Sequence, residues 1–241
     1  MKRFFAQASA EARDGGHCLL LDGRPLRTPA KHPLQLPSAR LAAAVAAEWQ
    51  GQGETIVPAT MTLTRLASTA IDRMPALRAA AIDEAAAYAG TELLCYRASS
   101  PLELVERQQR AWQPLLDWLA ATYGVRLGVT TRLMPVAQPE ATLAALRAVI
   151  AHLDDWTLVG VHAATTISGS IVLGLALLEQ RIDAREAFAA SLLDELFEIE
   201  RWGQDAESLR RHRTLERDLA ATALWLDAVA SGRKAGADEG L

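Results

Sequence analysis

The chain has 241 residues, 50% of them hydrophobic and 22% charged, with a formal net charge of −4. That size holds one large domain or two small ones around a real core, and it excludes a disordered chain, a collagen-like repeat and a disulfide-stapled miniprotein. The acidic balance is the opposite of the basic footprint that neutralises phosphates, so no nucleic-acid partner is expected; Cys18 and Cys95, without CxxC or Cys/His spacing, indicate neither a disulfide framework nor a structural metal.

The opening Met1-Lys-Arg-Phe-Phe-Ala6 is basic and then apolar, but the apolar run is far short of the roughly 7–15 residues of a signal peptide. Glu11 and Asp14 also argue against a transit peptide, so these residues are read as the first strand of a mature protein. A β-meander is expected next, with strands at Arg3 to Ala10, His17 to Leu21, Arg24 to Thr28 and Leu34 to Leu36. Asp22-Gly23 is the local signal for its hairpin, because both central residues of a type I′ turn need positive φ. Ser38 then reads as the N-cap of a helix through Leu41, Val45 and Trp49, which ends at Gly51 and Gly53.

From Met61 the apolar period becomes helical, with Leu63, Leu66 and Ala70 and, past Pro75, Leu77, Ala81 and Ala85 on one side. Short strands are expected at Leu93 to Arg97 and Val125 to Thr130. Between them Pro101 opens a helix capped by Ser99 or Ser100. Further helices are expected at about Pro139 to Leu153, Trp156 to Leu178, Ala184 to Glu200 and Asp205 to Ala230.

The uncharged stretch Trp156 to Leu178 is long enough to span a bilayer by the rule of about 20 residues. Its internal His162, Thr165, Thr166, Ser168 and Ser170, and its acidic flanks, point instead to a buried helix at the centre of a bundle. Gly160, Ala164 and Ser168 place small side chains on one face of it. The expected fold class is α+β: a small N-terminal β-meander/α domain over residues 1–80, a larger mainly α-helical domain over 81–230 and a disordered tail over 231–241.

Neither phosphate-binding pattern, GxxxxGK[ST] or GxGxxG, occurs. Ser168-Gly169-Ser170 lies inside the apolar helix rather than at a strand-to-helix turn, so it is not a nucleophile elbow. No His follows a Glu at the spacing of a di-iron bundle, and His162 is read as a satisfied core residue. No catalytic residue, metal or cofactor is expected. The conspicuous feature is an acidic concentration, Asp194, Glu195, Glu198, Glu200, Asp205 and Glu207, around Arg201-Trp202-Gly203 where one helix ends and another begins. It is either a solvated face answered by Arg210, Arg211 and Arg213, or a recognition site in which carboxylates meet a basic surface and an indole anchors it.

Four stretches in order resemble the ATP synthase F1 α-subunit assembly chaperones. They are Leu21 to Pro37; Ala47-Glu-Trp49 with Met61 to Asp72; Leu94-Cys-Tyr-Arg97 with Leu104 to Trp112; and Ser191 to Gly203. The sequence departs from the family pattern at Val57, Thr62 and Gln113. The resemblance implies a small β-containing domain followed by a helical one. It also implies a non-catalytic role: holding the free α subunit soluble until β replaces it, as a monomer when free and without a membrane span. The site of action it implies is the cytoplasm in bacteria and the mitochondrial matrix in eukaryotic members. Glu195, Glu200, Trp202 and Gly203 match the C-terminal signature and are expected, with Glu198, Asp205 and Glu207, to meet the partner. Trp49, Asp22 and Gly23 are expected to be structural. The alternative is a small acid/base enzyme using the acidic patch around Trp202.

Overall fold

The computed structural model describes residues 1–13, 15–132 and 137–238, with side chains as far as Ser231. It divides into two compact units, the first comprising residues 1–78, 155–159 and those from Leu224 onward, the second 79–154 and 160–223. The leading run of the first unit ends at Arg78, and two later segments belong with it.

In the first unit β2 (Gly16–Leu21) is central and antiparallel to β1 (Ala8–Arg13), β3 (Arg24–Pro25) and β4 (Gln35–Leu36). Asp22 and Gly23, at φ 48° and 76°, make the turn between the paired Leu21 and Arg24. The Asp22 carboxylate also accepts N–H from Ala6 and Gln7, at 3.0 and 2.8 Å. Those amides are thus unavailable to a ladder, and the first strand begins at Ala8 rather than Arg3; residue 2 instead bridges Thr55. Ser38 caps α1 (Ala39–Gln50) by accepting from Leu41 N at 3.2 Å. From α1, Trp49 packs edge-on against Phe5, and Glu48 accepts from Leu63 N, Thr64 N and Thr64 Oγ1 at 2.6–2.8 Å. Glu48 thereby caps α2 (Thr62–Asp72), whose first turn has no side-chain cap of its own. Trp225 donates its indole N–H to the Trp156 carbonyl and stacks on that ring at 5.5 Å.

The helices that follow are α3 (Met74–Ala87), α4 (Leu102–Tyr123), α5 (Glu140–Ala151), α6 (Asp155–Ser168), α7 (Ile171–Leu178), α8 (Ala184–Ser191), α9 (Leu193–Trp202) and α10 (Ala206–Asp238). Pro101 itself is the N-cap residue of α4, without a side-chain cap from Ser99 or Ser100, and Gly124 ends the helix at φ 69°. The short strands expected on either side of α4 reduce to one bridge between Tyr96 and Thr130, because Leu93–Cys95 closes into a 3₁₀ turn.

The apolar stretch expected as one helix is two. Gly169, at φ 72°, ends α6, and Ser170 starts α7 by accepting from Leu173 N at 3.0 Å. Ser168-Gly169-Ser170 is therefore a helix-to-helix corner, not a helix interior. Every residue of α7 from Ile171 to Leu177 is buried, so it supplies the centre of the second unit. No helix of the described residues is long and apolar enough to cross a membrane.

Glu92, which no sequence motif marks, closes the corner from outside. This fully buried carboxylate accepts the Ser170 hydroxyl, Ile171 N at 3.0 Å, Val172 N at 3.4 Å and Leu94 N at 3.2 Å. Positive helix-end charge favours an anion there, while burial opposes it and pushes the carboxyl up to about 7.

The segment expected as one helix from Ala184 to Glu200 also divides, at Leu192, whose backbone (φ −114°, ψ 19°) is not helical. The last helix continues to Asp238, where composition suggested a tail from Ser231. A helix already nucleated over many turns adds one bond per further residue. Residues 239–241 lie outside the described residues.

Candidate functional site

The second unit brings the acidic concentration onto a frame of paired charges. Helices α4 and α9 run in opposite directions: Gln108 Nε2 donates to Asp194 at 2.7 Å, Arg107 bridges to Glu200 at 2.8 Å, and Arg201 reaches Glu103 at 2.6 Å. Arg107 also holds Glu103 one turn away at 2.9 Å. Between these pairs Phe197 is buried, with the guanidinium groups of Arg107 and Arg201 over its ring at 5.1 and 3.9 Å. The Arg107 hydrogen bond, with Arg201 beside it, holds the Glu103 carboxyl below its ordinary range.

Beyond this ladder Trp202 stands 84% exposed, and Gly203, at φ 84°, ends α9. At the same end of the row of pairs Leu102 is 71% exposed next to Glu103 in the chain. Two large apolar side chains thus flank the Arg201–Glu103 pair, held by helix ends that charge pairs fix.

The seven residues expected to meet a partner separate by what holds them. Glu195 accepts from His212 Nε2 at 2.8 Å and from Arg211; the Arg211 hydrogen bond is the main reason its pKa is lowered. His212 is buried, receives Phe188 edge-on and lies 2.9 Å from Gln204, so Glu195 braces the start of α10 from α9. Asp205 is the cap of α10, accepting from Glu207 N, Ser208 N and Ser208 Oγ at 2.8–2.9 Å, and those bonds lower its pKa. Glu200 faces Arg107. Glu198 and Glu207 are exposed and form no ion pair among the described residues.

A general acid of the kind the enzyme alternative needs has a raised pKa beside an enclosed substrate site. Glu195 and Asp205 are shifted the other way, and their oxygens already receive N–H groups. His162, expected as a satisfied core residue, is instead half-buried and lies 3.1 Å from the exposed Glu84.

Sequence reasoning missed the basic half of this arrangement. The spacing of Glu103 and Arg107 was a readable local signal for one pair. The approach of α9 to α4 was not, since Gln108 and Asp194 are distant in the chain. A groove of about 590 Å³ on this unit was equally hidden: it lies between α4, α8 and α9, floored by Leu115, Ala190, Leu193 and Leu196.

Comparison with known proteins places this arrangement. Residues 2–120 match the family described as the ATP12 chaperone protein. The chain is 40% identical to Atp12 from Paracoccus denitrificans, whose crystal structure it matches with a TM-score of 0.85 over 94% of this chain and 97% of that one. It is 36% identical to the Atu1473 protein of Agrobacterium tumefaciens, with a TM-score of 0.88 over 95% of this chain and 86% of that one. The mitochondrial protein atp12 of Schizosaccharomyces pombe is 24% identical over 242 residues, 92% of this chain and 81% of that protein.

Proposed function

The chain belongs to the ATP12 chaperone family, and from that premise we propose that it is a non-catalytic chaperone of ATP synthase assembly that binds the free F1 α subunit until β replaces it. The observation that carries this reading is the agreement of fold and sequence with Atp12 over 94% of the chain. The physical need is general: a subunit waiting for its partner exposes apolar surface that aggregates. A chaperone covers that surface and must still be displaced.

The end of α9 suits such a contact. Trp202 offers a large, nearly fully exposed ring, and the Arg201–Glu103 and Arg107–Glu200 pairs fix the helix that presents it. An aromatic side chain on a rigid mount loses little entropy on binding. Glu198 and Glu207 supply carboxylates without an ion pair among the described residues, for basic groups of the partner. Glu195 and Asp205 act indirectly, by holding α10 in place.

Co-expression with an F1 α subunit, followed by pull-down and by light scattering of α, tests the proposal. Capture and solubilisation by the wild type, reduced in the folded Trp202→Ala and Glu198→Lys variants, is the expected result. No capture of α at low salt would overturn the proposal.

A further inference from the structure

We infer that the groove between α4, α8 and α9 seats an apolar segment of the α subunit that carries a carboxylate; this rests on the function proposed above and names the contact. The floor is apolar, with Leu115 and Ala190 buried and Leu193 and Leu196 half-buried. The rim is cationic, with Arg107, Arg110 and Arg181 on it.

These three arginines are not equivalent. Arg107 is neutralised by Glu103 and Glu200. Arg110 and Arg181 are exposed and form no ion pair among the described residues. The remaining carboxylate on the rim, Glu186, is engaged by the Asp183 N–H at 2.8 Å in the capping box of α8. An apolar floor between two uncompensated guanidinium groups favours an occupant that is apolar and negatively charged. Forked guanidinium donors recognise carboxylate geometry, and a basic or purely polar segment gains nothing there.

The wall of the groove adds a backbone feature. Pro114 lines it from inside α4 and has no N–H, so the Arg110 carbonyl lacks the helical donor that position 114 would normally supply. A segment laid in the groove finds apolar contact below and cations on the rim.

Site-specific photo-crosslinking in the full-length chain tests the inference. A benzophenone amino acid replaces Ala111 in the groove or the exposed Ala43 on α1, each co-expressed with α. The expected result is a light-dependent adduct with α from position 111 and none from 43, the adducted peptide holding Asp or Glu among apolar residues. In parallel, Arg110→Glu with Arg181→Glu weakens capture about tenfold or more, whereas Arg110→Lys with Arg181→Lys keeps most of it, both folded by circular dichroism. Capture of α with no adduct from position 111, or with the charge-reversed variant at full strength, overturns the groove and leaves the chaperone role standing. An adduct with a second copy of this chain overturns it in favour of self-association. Absence of any capture by the wild type removes the role and the groove together.

Discussion

Glu92→Gln separates two contributions of one buried carboxylate. Burial raises the Glu92 pKa from 4.5 to about 7 against four donors that pull it down: the Ser170 hydroxyl and the amides of Leu94, Ile171 and Val172. A folded pKa above the unfolded one means that the native state binds the proton more tightly. The contribution is therefore fully present below about pH 4.5 and is lost as pH rises through about pH 7. Integrated over protons bound, the loss between about pH 5 and about pH 8 is about 2–3 kcal/mol. Glutamine does not titrate, so the variant lacks this slope. Its amide nitrogen also points a donor at other donors, which costs about 1–3 kcal/mol at every pH. Urea unfolding of both proteins across this range, followed by far-ultraviolet circular dichroism, gives slope and offset independently. The wild type's advantage should shrink by about 2–3 kcal/mol from about pH 5 to about pH 8. A difference that does not change with pH would refute the reasoning, whatever its size.

Glu195→Ala should destabilise the chain by about 1–3 kcal/mol in urea unfolding, because it leaves the buried His212 ring without its acceptor. Its pH dependence has the opposite sign to that of Glu92. The lowered folded pKa gives stability that is present above 4.5 and lost as pH falls through the folded value, and that acid loss should be smaller in the variant. Gly174→Ala should cost about 1–3 kcal/mol, since a Cβ there meets Thr165 Oγ1 at 2.5 Å and the Val161 carbonyl at 3.2 Å; an unchanged thermal midpoint would show that α6 and α7 can separate. Trp202→Ala should leave the urea midpoint unchanged while weakening capture of α about thirtyfold, measured by titration calorimetry, because the ring is exposed and its loss matters only in the complex.

Local signals in the sequence were reliable where one turn decides the structure. Ser38 caps α1 as its position suggested, and Asp22-Gly23 makes the hairpin because both residues adopt the required positive φ. The stretch from Trp156 to Leu178 misled for a physical reason. An apolar run on both sides of Ser168-Gly169-Ser170 has the composition of one helix, and the break depends on Glu92, which supplies the corner's missing acceptors from 78 positions away along the chain. Hydrophobic periodicity carries no record of such a partner. The acidic concentration was legible as a cluster, but its division into cap, brace and free carboxylate depends on Arg107 and His212. The groove was illegible altogether, since three helices form it and its two uncompensated arginines look like ordinary surface residues in sequence.

The stretches that resemble the chaperone family bond largely to one another. Asp72, at the end of the second, receives Thr28 Oγ1 at 2.7 Å, Ala30 N at 3.1 Å and the His32 ring at 2.9 Å from the first. Within the third, Arg97 donates to the Gln108 carbonyl at 2.9 Å, the adjoining Ala98 N donates to its side chain at 2.7 Å, and Gln108 then reaches Asp194 in the fourth. Glu48 and the amides it caps at Leu63 and Thr64 both belong to the second. Residues used this way carry the architecture, and altering them acts on any partner through stability. Trp202 is the exception inside the fourth stretch: it matches the family signature, yet its ring is left in solvent. Arg110, inside the third stretch, and Arg181, outside all four, likewise have no internal ion pair among the described residues. Measuring stability and capture separately should therefore sort Asp72, Gln108 and Asp194 into variants that lose both, and Trp202, Arg110 and Arg181 into variants that lose capture alone. Capture lost without stability at Asp72 would break that division, because its carboxylate is occupied by three donors of its own chain.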